Sequence, residues 1–420
     1  MKISARRSSY NASEATSEWR RGFKALAAAS IAGGMGYSLF LNTAGLFLLP
    51  LQTEFGWSRT ALSIGPIVGL VAALFAPIMG LFIDRIGVRP VAIYGMLASA
   101  LLFAGFATMT PNAYIFYGIG ALVALAAPLT SPGVFSKGVA TWFRVHIGGA
   151  LGISMSGVSL LFATITPLTA YIITQHGWRA GYWTLAGIAG LVALPMIVAG
   201  FREAPRGSLV AGDARAATGM QASDIFRDSR FWLLLLFFFV ACVSIGGYLN
   251  QLIPLMVDRG YTLEKASLLA SGYYISVGVS RVLIGFLLDR YRPTIVSAGA
   301  VALSAIGATL LLFTNHELGF AVALLSVSLI GLAHGAESDF IAFFILRFFG
   351  LRNYTLLFGI YGGLMTGGGF AIGGLVFAAF FDHFGNYRMA IGCTVVGFSI
   401  AVTLMLLIGM VDAVKWRRRS

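Results

Sequence analysis

Two cysteines in 420 residues, Cys242 and Cys393, are too few for a disulfide framework, and both fall in apolar stretches where neither marks a redox compartment. Charge is scarce as well. Only 11% of the residues are Asp, Glu, Lys or Arg, against about a quarter in a soluble domain, and just 16 are acidic. No His, Cys and carboxylate set has metal-ligand spacing, no serine elbow is present, and no soluble catalytic domain fits between the apolar runs. These absences argue against an enzyme and imply neither metal nor cofactor. What fills the chain is hydrophobic: 58% of residues, with mean hydropathy +0.85. The composition is that of a polytopic membrane protein. A net charge of +13 would suit a nucleic-acid partner only if the basic residues formed a patch, and they are scattered between apolar runs.

At about 20 apolar residues per crossing, the pattern predicts twelve helices, near 25–51, 60–83, 90–110, 113–136, 147–173, 178–201, 230–256, 264–288, 294–313, 318–345, 354–381 and 387–411. The first apolar run is too long for the core of a cleavable signal and reads as a retained span. The expected organisation is a tail over 1–23, a six-helix bundle over 24–201, a linker over 202–229, a second bundle over 230–411 and a basic tail over 412–420. Six of the 29 lysines and arginines lie apart from one side of this arrangement. Arg59, Arg179, Arg259, Lys265 and Arg388 fall in the opposite loops, and Arg281 falls inside a span. The positive-inside rule therefore places both termini in the cytoplasm of a cell bounded by a plasma (inner) membrane. Asn11-Ala-Ser matches a glycosylation acceptor but falls on that cytoplasmic side.

An internal echo divides the chain in two. Gly80-Leu-Phe-Ile-Asp84-Arg85 closes the second span and Gly285-Phe-Leu-Leu-Asp289-Arg290 closes the eighth, 205 residues later; Trp142-Phe143 and Phe348-Phe349 repeat at an offset of 206. Two matches at nearly one offset indicate duplicated six-helix halves in parallel orientation. Charges inside the spans are few: Arg281 in the eighth, and Glu337 and Asp339 in the tenth, with His334 one turn before Glu337. An arginine near the middle of an apolar helix costs about 3 kcal/mol on insertion scales, which makes it a functional-site candidate. Two readings stand. Arg281 pairs structurally with Glu337 or Asp339, or it anchors an anionic substrate while the acids and His334 carry a proton. A guanidinium suits a carboxylate because it stays charged and offers a planar fork. Polar residues at similar depth that would complete a pocket are Asn42, Tyr114, Tyr117, Asn250, Gln251, Tyr273, Tyr274, Ser280 and Tyr361, of which Tyr114, Tyr117 and Asn250 fall toward the outer interface, where tyrosine belts are expected. A buried tyrosine or asparagine is more often satisfied by neighbouring backbone than by a ligand, so each alone is weak evidence.

Gly80-x-x-x-Asp84-Arg85-x-Gly87-x-Arg89 resembles the signature loop of the major facilitator superfamily, and twelve spans with a central linker resemble that family over almost the whole chain. The resemblance implies two bundles working by alternating access, with Gly80, Asp84, Arg85 and Arg89, echoed by Gly285, Asp289 and Arg290, latching the halves in one conformation. The second copy departs from the pattern, with Arg292 and Pro293 where Gly87 and Val88 stand in the first. The third, sixth, ninth and twelfth spans are expected to face lipid, and their central stretches carry no charge. Glu54-Phe-Gly-Trp57-Ser-Arg59, Thr141-Trp-Phe-Arg144 and the arginine of the eighth span are similar to the monocarboxylate and oxalate/formate branch. That branch implies that Arg281 binds the carboxylate. Oxalate-type members add a lysine in the eleventh span, where Tyr361 and Thr366 stand here, which disfavours a dicarboxylate. Animal monocarboxylate carriers use a lysine in the first span, where Leu41 or Asn42 stands. The expectation is a secondary transporter, a monomer in the bilayer, moving a small monocarboxylate together with a proton. The alternatives are an efflux carrier for drug-like molecules with Arg281 structural, and, more remotely, a transporter-like receptor.

Overall fold

The computed structural model describes residues 12–63, 68, 71, 85–143, 146–204, 219–314, 319–350 and 352–417. Among them regular structure is helical, apart from one bridge between Gly219 and Gly350. The first half contains α1 (Ala12–Ala32), α2 (Tyr37–Phe55), the short α3 (Arg59–Leu62), α4 (Val88–Thr108), α5 (Ala113–Ala126), α6 (Pro132–Ala140), α7 (Ile147–Gly187) and α8 (Leu194–Gly200). After the linker, α9 (Ala222–Arg227) leads into α10 (Ser229–Asp258), α11 (Leu263–Arg290), α12 (Pro293–Phe313), α13 (Phe320–Phe348), α14 (Tyr354–Gly363), α15 (Phe370–Phe384) and α16 (Arg388–Arg417).

Ten segments of the described residues are long and apolar enough to cross a membrane. Two exceed one crossing: Glu18–Phe55 has 38 residues and Gly149–Gly200 has 52. The second folds back on itself. Gly177 has φ +83° and ψ 167°, and a Cβ on Gly181 would fall 2.6 Å from Ile173, whereas residues eight apart in a straight helix are about 12 Å apart. Only glycine takes that backbone conformation readily, so Gly177 is what turns one helix into a hairpin. The predicted second span, beyond α3 and residues 68 and 71, lies outside the described residues, as do Gly80 and Asp84.

Helices α10 to α13 begin and end within three residues of their predicted limits. Their caps explain why. Asp228 accepts from Arg230 N at 2.9 Å to start α10, Thr262 accepts from Lys265 N at 3.3 Å to start α11, and Pro293 opens α12. The first and fourth spans, each expected as one helix, are instead broken. Residues 33–36 interrupt α1 and α2, and a tight turn over Ala127–Thr130 with Ser131 separates α5 from α6, where Pro128 and Pro132 lack the N–H groups a continuous helix needs. The breaks meet: Thr130 Oγ1 accepts from Tyr37 N at 2.9 Å.

Large apolar side chains stand exposed along α4, the α7–α8 segment, α12 and α16, among them Tyr94, Leu191, Ile306 and Val396. Such faces suit contact with lipid, and large apolar side chains are also exposed on α5 and α11, among them Leu122 and Val279, so exposure does not single those spans out. In the second half α11 packs on α13 and α12 packs on α16, while α11 also packs on α7 of the first half. Trp19, Gly149, Leu288 and Leu346 line one space, and Arg347 pairs with Asp412. Both described chain ends therefore lie on one face, called the terminal face below; the other is the far face.

Gly177→Ala forces a Cβ into a region nearly exclusive to glycine, an expected loss of about 1–3 kcal/mol. Thermal unfolding of the detergent-solubilised protein checks it; an unchanged melting temperature would contradict the hairpin.

Candidate functional site

The two halves close tightly over the far face. Arg59, on α3 of the first half, donates from Nη2 to Asp258 Oδ1 at 2.9 Å and from Nη1 to the other Asp258 oxygen. Its Nη1 also donates to Tyr387 Oη at 2.7 Å, and the guanidinium lies 3.4 Å from the centre of the Phe381 ring. The backbone N–H groups of Arg59 and Thr60 donate to the two oxygens of Asp382 at 3.0 and 2.8 Å, so an acid from α15 caps α3. Gln251 extends the seal, accepting from Tyr387 Oη at 2.6 Å and donating to Ser63 Oγ at 2.9 Å. Burial works against the Arg59 charge, but the hydrogen bond to Asp258 and the fields of Tyr387 and Asp258 outweigh it, and its pKa is raised.

The Glu54–Arg59 segment builds this corner. Glu54 accepts from Trp178 Nε1 at 2.5 Å and pairs with Arg179 at 2.9 Å, which ties α2 to the turn of the α7 hairpin. Gly56 ends α2 in a left-handed conformation, and Ser58 accepts from Ala61 N to begin α3. The Thr141–Phe143 segment does similar work on the terminal face: Trp142 Nε1 donates to Arg202 O at 2.6 Å, and Phe143 packs edge-on against Trp19.

Below the seal the halves stay in contact and then part. Tyr274 Oη donates to Asn42 O at 3.0 Å, Ser271 Oγ donates to Ala163 O at 2.7 Å, and Gly278 lies against Ser159 and Ser156. A Cβ on Gly45 would meet Asn250 O at 2.6 Å, so that residue must stay small for α2 to lie on α10. Because α7 and α11 run antiparallel, this register brings Gly285, two turns beyond Gly278, opposite the stretch from Gly149 to Gly152. There, however, a Cβ on any of Gly149, Gly152 and Gly285 would have no neighbour within 4 Å. The helices have diverged, and a cavity of about 720 Å³ occupies the gap. Its lining includes Trp19, Ile153, Val282, Phe286, Phe343 and Leu346, and Arg281 is the one charged lining residue among those described.

Helices α10, α11 and α13 also hold a buried polar chain. Tyr273 Oη and His334 Nδ1 are 2.8 Å apart, His334 Nε2 is 3.8 Å from Glu337 Oε1, and Cys242 Sγ is 3.7 Å from Glu337 Oε2. Glu337 is only 7% exposed, and the Arg281 charge reaches His334 electrostatically. Either the tyrosine hydroxyl or the imidazole can donate in the first of these contacts; the tautomer protonated at Nε2 directs its N–H toward the carboxylate.

The other candidates from the sequence are placed as follows. Asn42 donates to Ser38 O, Tyr361 to Phe231 O, and Tyr117 to Ala61 O near the far face. Asn250 is buried where α10 meets α2, and Gln251 belongs to the far-face seal. None of these five lines the Arg281 cavity; Gly285 does. Arg89 donates to Val198 O at 2.6 Å and Val88 N to Glu203 at 3.0 Å, both inside the first half, while Arg85 and Arg290 are exposed. The side chains of Asp289 and Asp339 lie outside the described residues. Sequence reasoning missed the Arg59 seal and Cys242. The signal for the former was present, since Arg59 is a cation on the cation-poor face and Asp258 and Asp382 close the seventh and eleventh spans.

Comparisons with known proteins agree with this architecture. The family model described as Major Facilitator Superfamily matches residues 26–374. The uncharacterized MFS-type transporter YcxA of Bacillus subtilis is 25% identical over 264 residues, 61% of this chain and 62% of that protein, so the match spans less than two thirds of its length. Human monocarboxylate transporter 11 is 25% identical over 64% of this chain and 56% of its own, and the gallate transporter of Pseudomonas putida is 25% identical over 62% and 64%. Among solved structures, the nucleoside transporter NupG, as its D323A mutant, superposes with TM-score 0.69 over 92% of this chain and 99% of that one. Their sequences are 14% identical, so the fold is what they share.

Arg59→Gln leaves Asp258 without its bidentate partner, a loss of about 2 kcal/mol from the sealed far face, or roughly thirtyfold in population. A cysteine placed at Asn42 is expected to react correspondingly faster with an impermeant maleimide from the far side. An unchanged rate would mean the seal does not hold that face shut.

Proposed function

The chain belongs to the major facilitator superfamily and is a membrane transporter, not an enzyme, and from that premise we propose that it carries a small monocarboxylate by alternating access, together with a proton. The terminal face is the cytoplasmic one on this reading, and the conformation described is open inward. One observation carries the proposal: Arg281 stands on the wall of a cavity between the halves at one face while the other face is sealed. A single guanidinium on an otherwise uncharged described lining suits a substrate with one carboxylate. The names of the monocarboxylate and gallate transporters among the relatives point the same way.

Charge balance motivates the proton. Arg281 and Glu337 balance each other when the site is empty. A bound carboxylate adds one negative charge, and enclosing a net charge in a low-dielectric interior is unfavourable. A proton on Glu337, delivered through His334, restores neutrality before the site closes. Asp339 is the second acid of the same segment and a rival carrier. Closure on the cytoplasmic side brings Gly285 down between Gly149 and Gly152, and release of the Arg59 seal opens the outside.

Three variants test these roles. Arg281→Gln is expected to lower carboxylate uptake into proteoliposomes at least a hundredfold while insertion and monodispersity persist; normal uptake would remove the anchor. Glu337→Gln is expected to retain exchange of labelled for unlabelled acid but to lose accumulation driven by a proton gradient, and continued accumulation would acquit Glu337. Gly285→Leu fills the space needed for closure without a clash in the open form. Transport of every substrate should fall tenfold or more, and wild-type rates would show that the helices do not close there.

A further inference from the structure

Resting on the carboxylate reading, we propose that the acid carried has a bulky apolar or aromatic body, and that short acids such as acetate and lactate are poor substrates. Size is the first argument. Clefts of about 300–1,000 Å³ receive drug-sized molecules, and the inward-open space beside Arg281, before the helices close, measures about 720 Å³. A two- or three-carbon acid leaves most of it empty.

Wall chemistry is the second argument. Ile153, Val282 and Leu346 offer aliphatic surface, and Trp19, Phe286 and Phe343 offer aromatic faces. Trp19 is itself held by Phe143 and His146, with ring centres at 5.1 and 5.9 Å, so its face is fixed. An acid that buries a phenyl-sized group against such walls gains at least about tenfold in affinity over one that cannot. A 2-hydroxy acid gains nothing comparable. Besides the guanidinium, the Trp19 indole N–H is the one polar side-chain group on the described lining, so a hydroxyl finds little there to improve on its hydration. The carboxylate goes to Arg281 and the body extends along Val282 and Phe286 on α11 toward Phe343 on α13 and Ile153 on α7.

Equilibrium binding to the purified full chain tests this without interference from permeation of the free acids. Labelled 3-phenylpropionate is competed with acetate, lactate and the neutral 3-phenylpropionamide, on the wild type and on Arg281→Gln. The expected result is a dissociation constant for 3-phenylpropionate at least ten times below those of acetate and lactate, negligible binding of the amide, and loss of acid binding in Arg281→Gln. Ile153 is half exposed and lines the cavity, so Ile153→Trp narrows it without disturbing packing. It should weaken 3-phenylpropionate at least fivefold more than acetate. If acetate or lactate binds as tightly as 3-phenylpropionate and still depends on Arg281, the apolar-body proposal is overturned and the carboxylate reading stands. No differential effect of Ile153→Trp overturns the placement of the body. If no acid binds, if the amide binds equally well, or if Arg281→Gln binds acids as the wild type does, the carboxylate reading fails and this proposal with it.

Discussion

The Arg59 guanidinium holds the molecule in the shape described. It is one side chain of the first half seated among Asp258, Phe381 and Tyr387 of the second, while Asp382 binds the start of the short helix that carries it. An exposed ion pair contributes little, but Arg59 is 3% exposed, and its pair is bidentate, stacked and tied into a hydrogen-bonded set. Two bodies joined at one end in this way can only splay at the other. The Arg281 cavity is thus the geometric consequence of the far-face seal, and its depth is set by where α7 and α11 stop touching, just beyond Gly278.

Where the helices part is written in small residues. Gly278 already lies against Ser159, and the same antiparallel register continues to Gly285 opposite Gly149 and Gly152, where nothing fills the gap. A small-residue contact that is made over one part of a helix pair and vacant over the next lets the pair hinge without repacking. Larger side chains there would either hold the ends apart or demand a different rotamer in each state.

Much of this was legible in the chain itself. Helix limits from α10 to α13 followed from apolar runs and capping residues, and Arg281, His334 and Glu337 stood out because charge and imidazole are rare in such segments. Other features were hidden for physical reasons. The breaks over 33–36 and 127–130 lie inside apolar stretches, where hydropathy carries no information on backbone continuity, although Gly33, Gly34 and Gly36 marked one and Pro128 and Pro132 the other. The Arg59 seal joins residues far apart in sequence, and no local pattern couples Arg59 to Asp258. The partners of Tyr117, Tyr361 and Gln251 could not be read beforehand, because depth can be estimated from a sequence whereas direction cannot. Each has a hydrogen-bond partner elsewhere.

On the proposed reading, substrate and gate are linked by one turn of helix. Arg281 and Gly285 are four residues apart on α11, about 6 Å along the axis and on the same side. Any movement that seats Gly285 between Gly149 and Gly152 therefore carries Arg281 against the next turn of α7, near Ser156. A loaded, neutral site tolerates that approach, and a site with unbalanced charge resists it. Because the backbone between the two positions is continuous helix, the charge state at Arg281 and the width of the gap at Gly285 cannot vary independently. Coupling of this kind needs no relay through the bundle, since the residue that senses the carboxylate and the residue that closes the passage belong to one rigid turn.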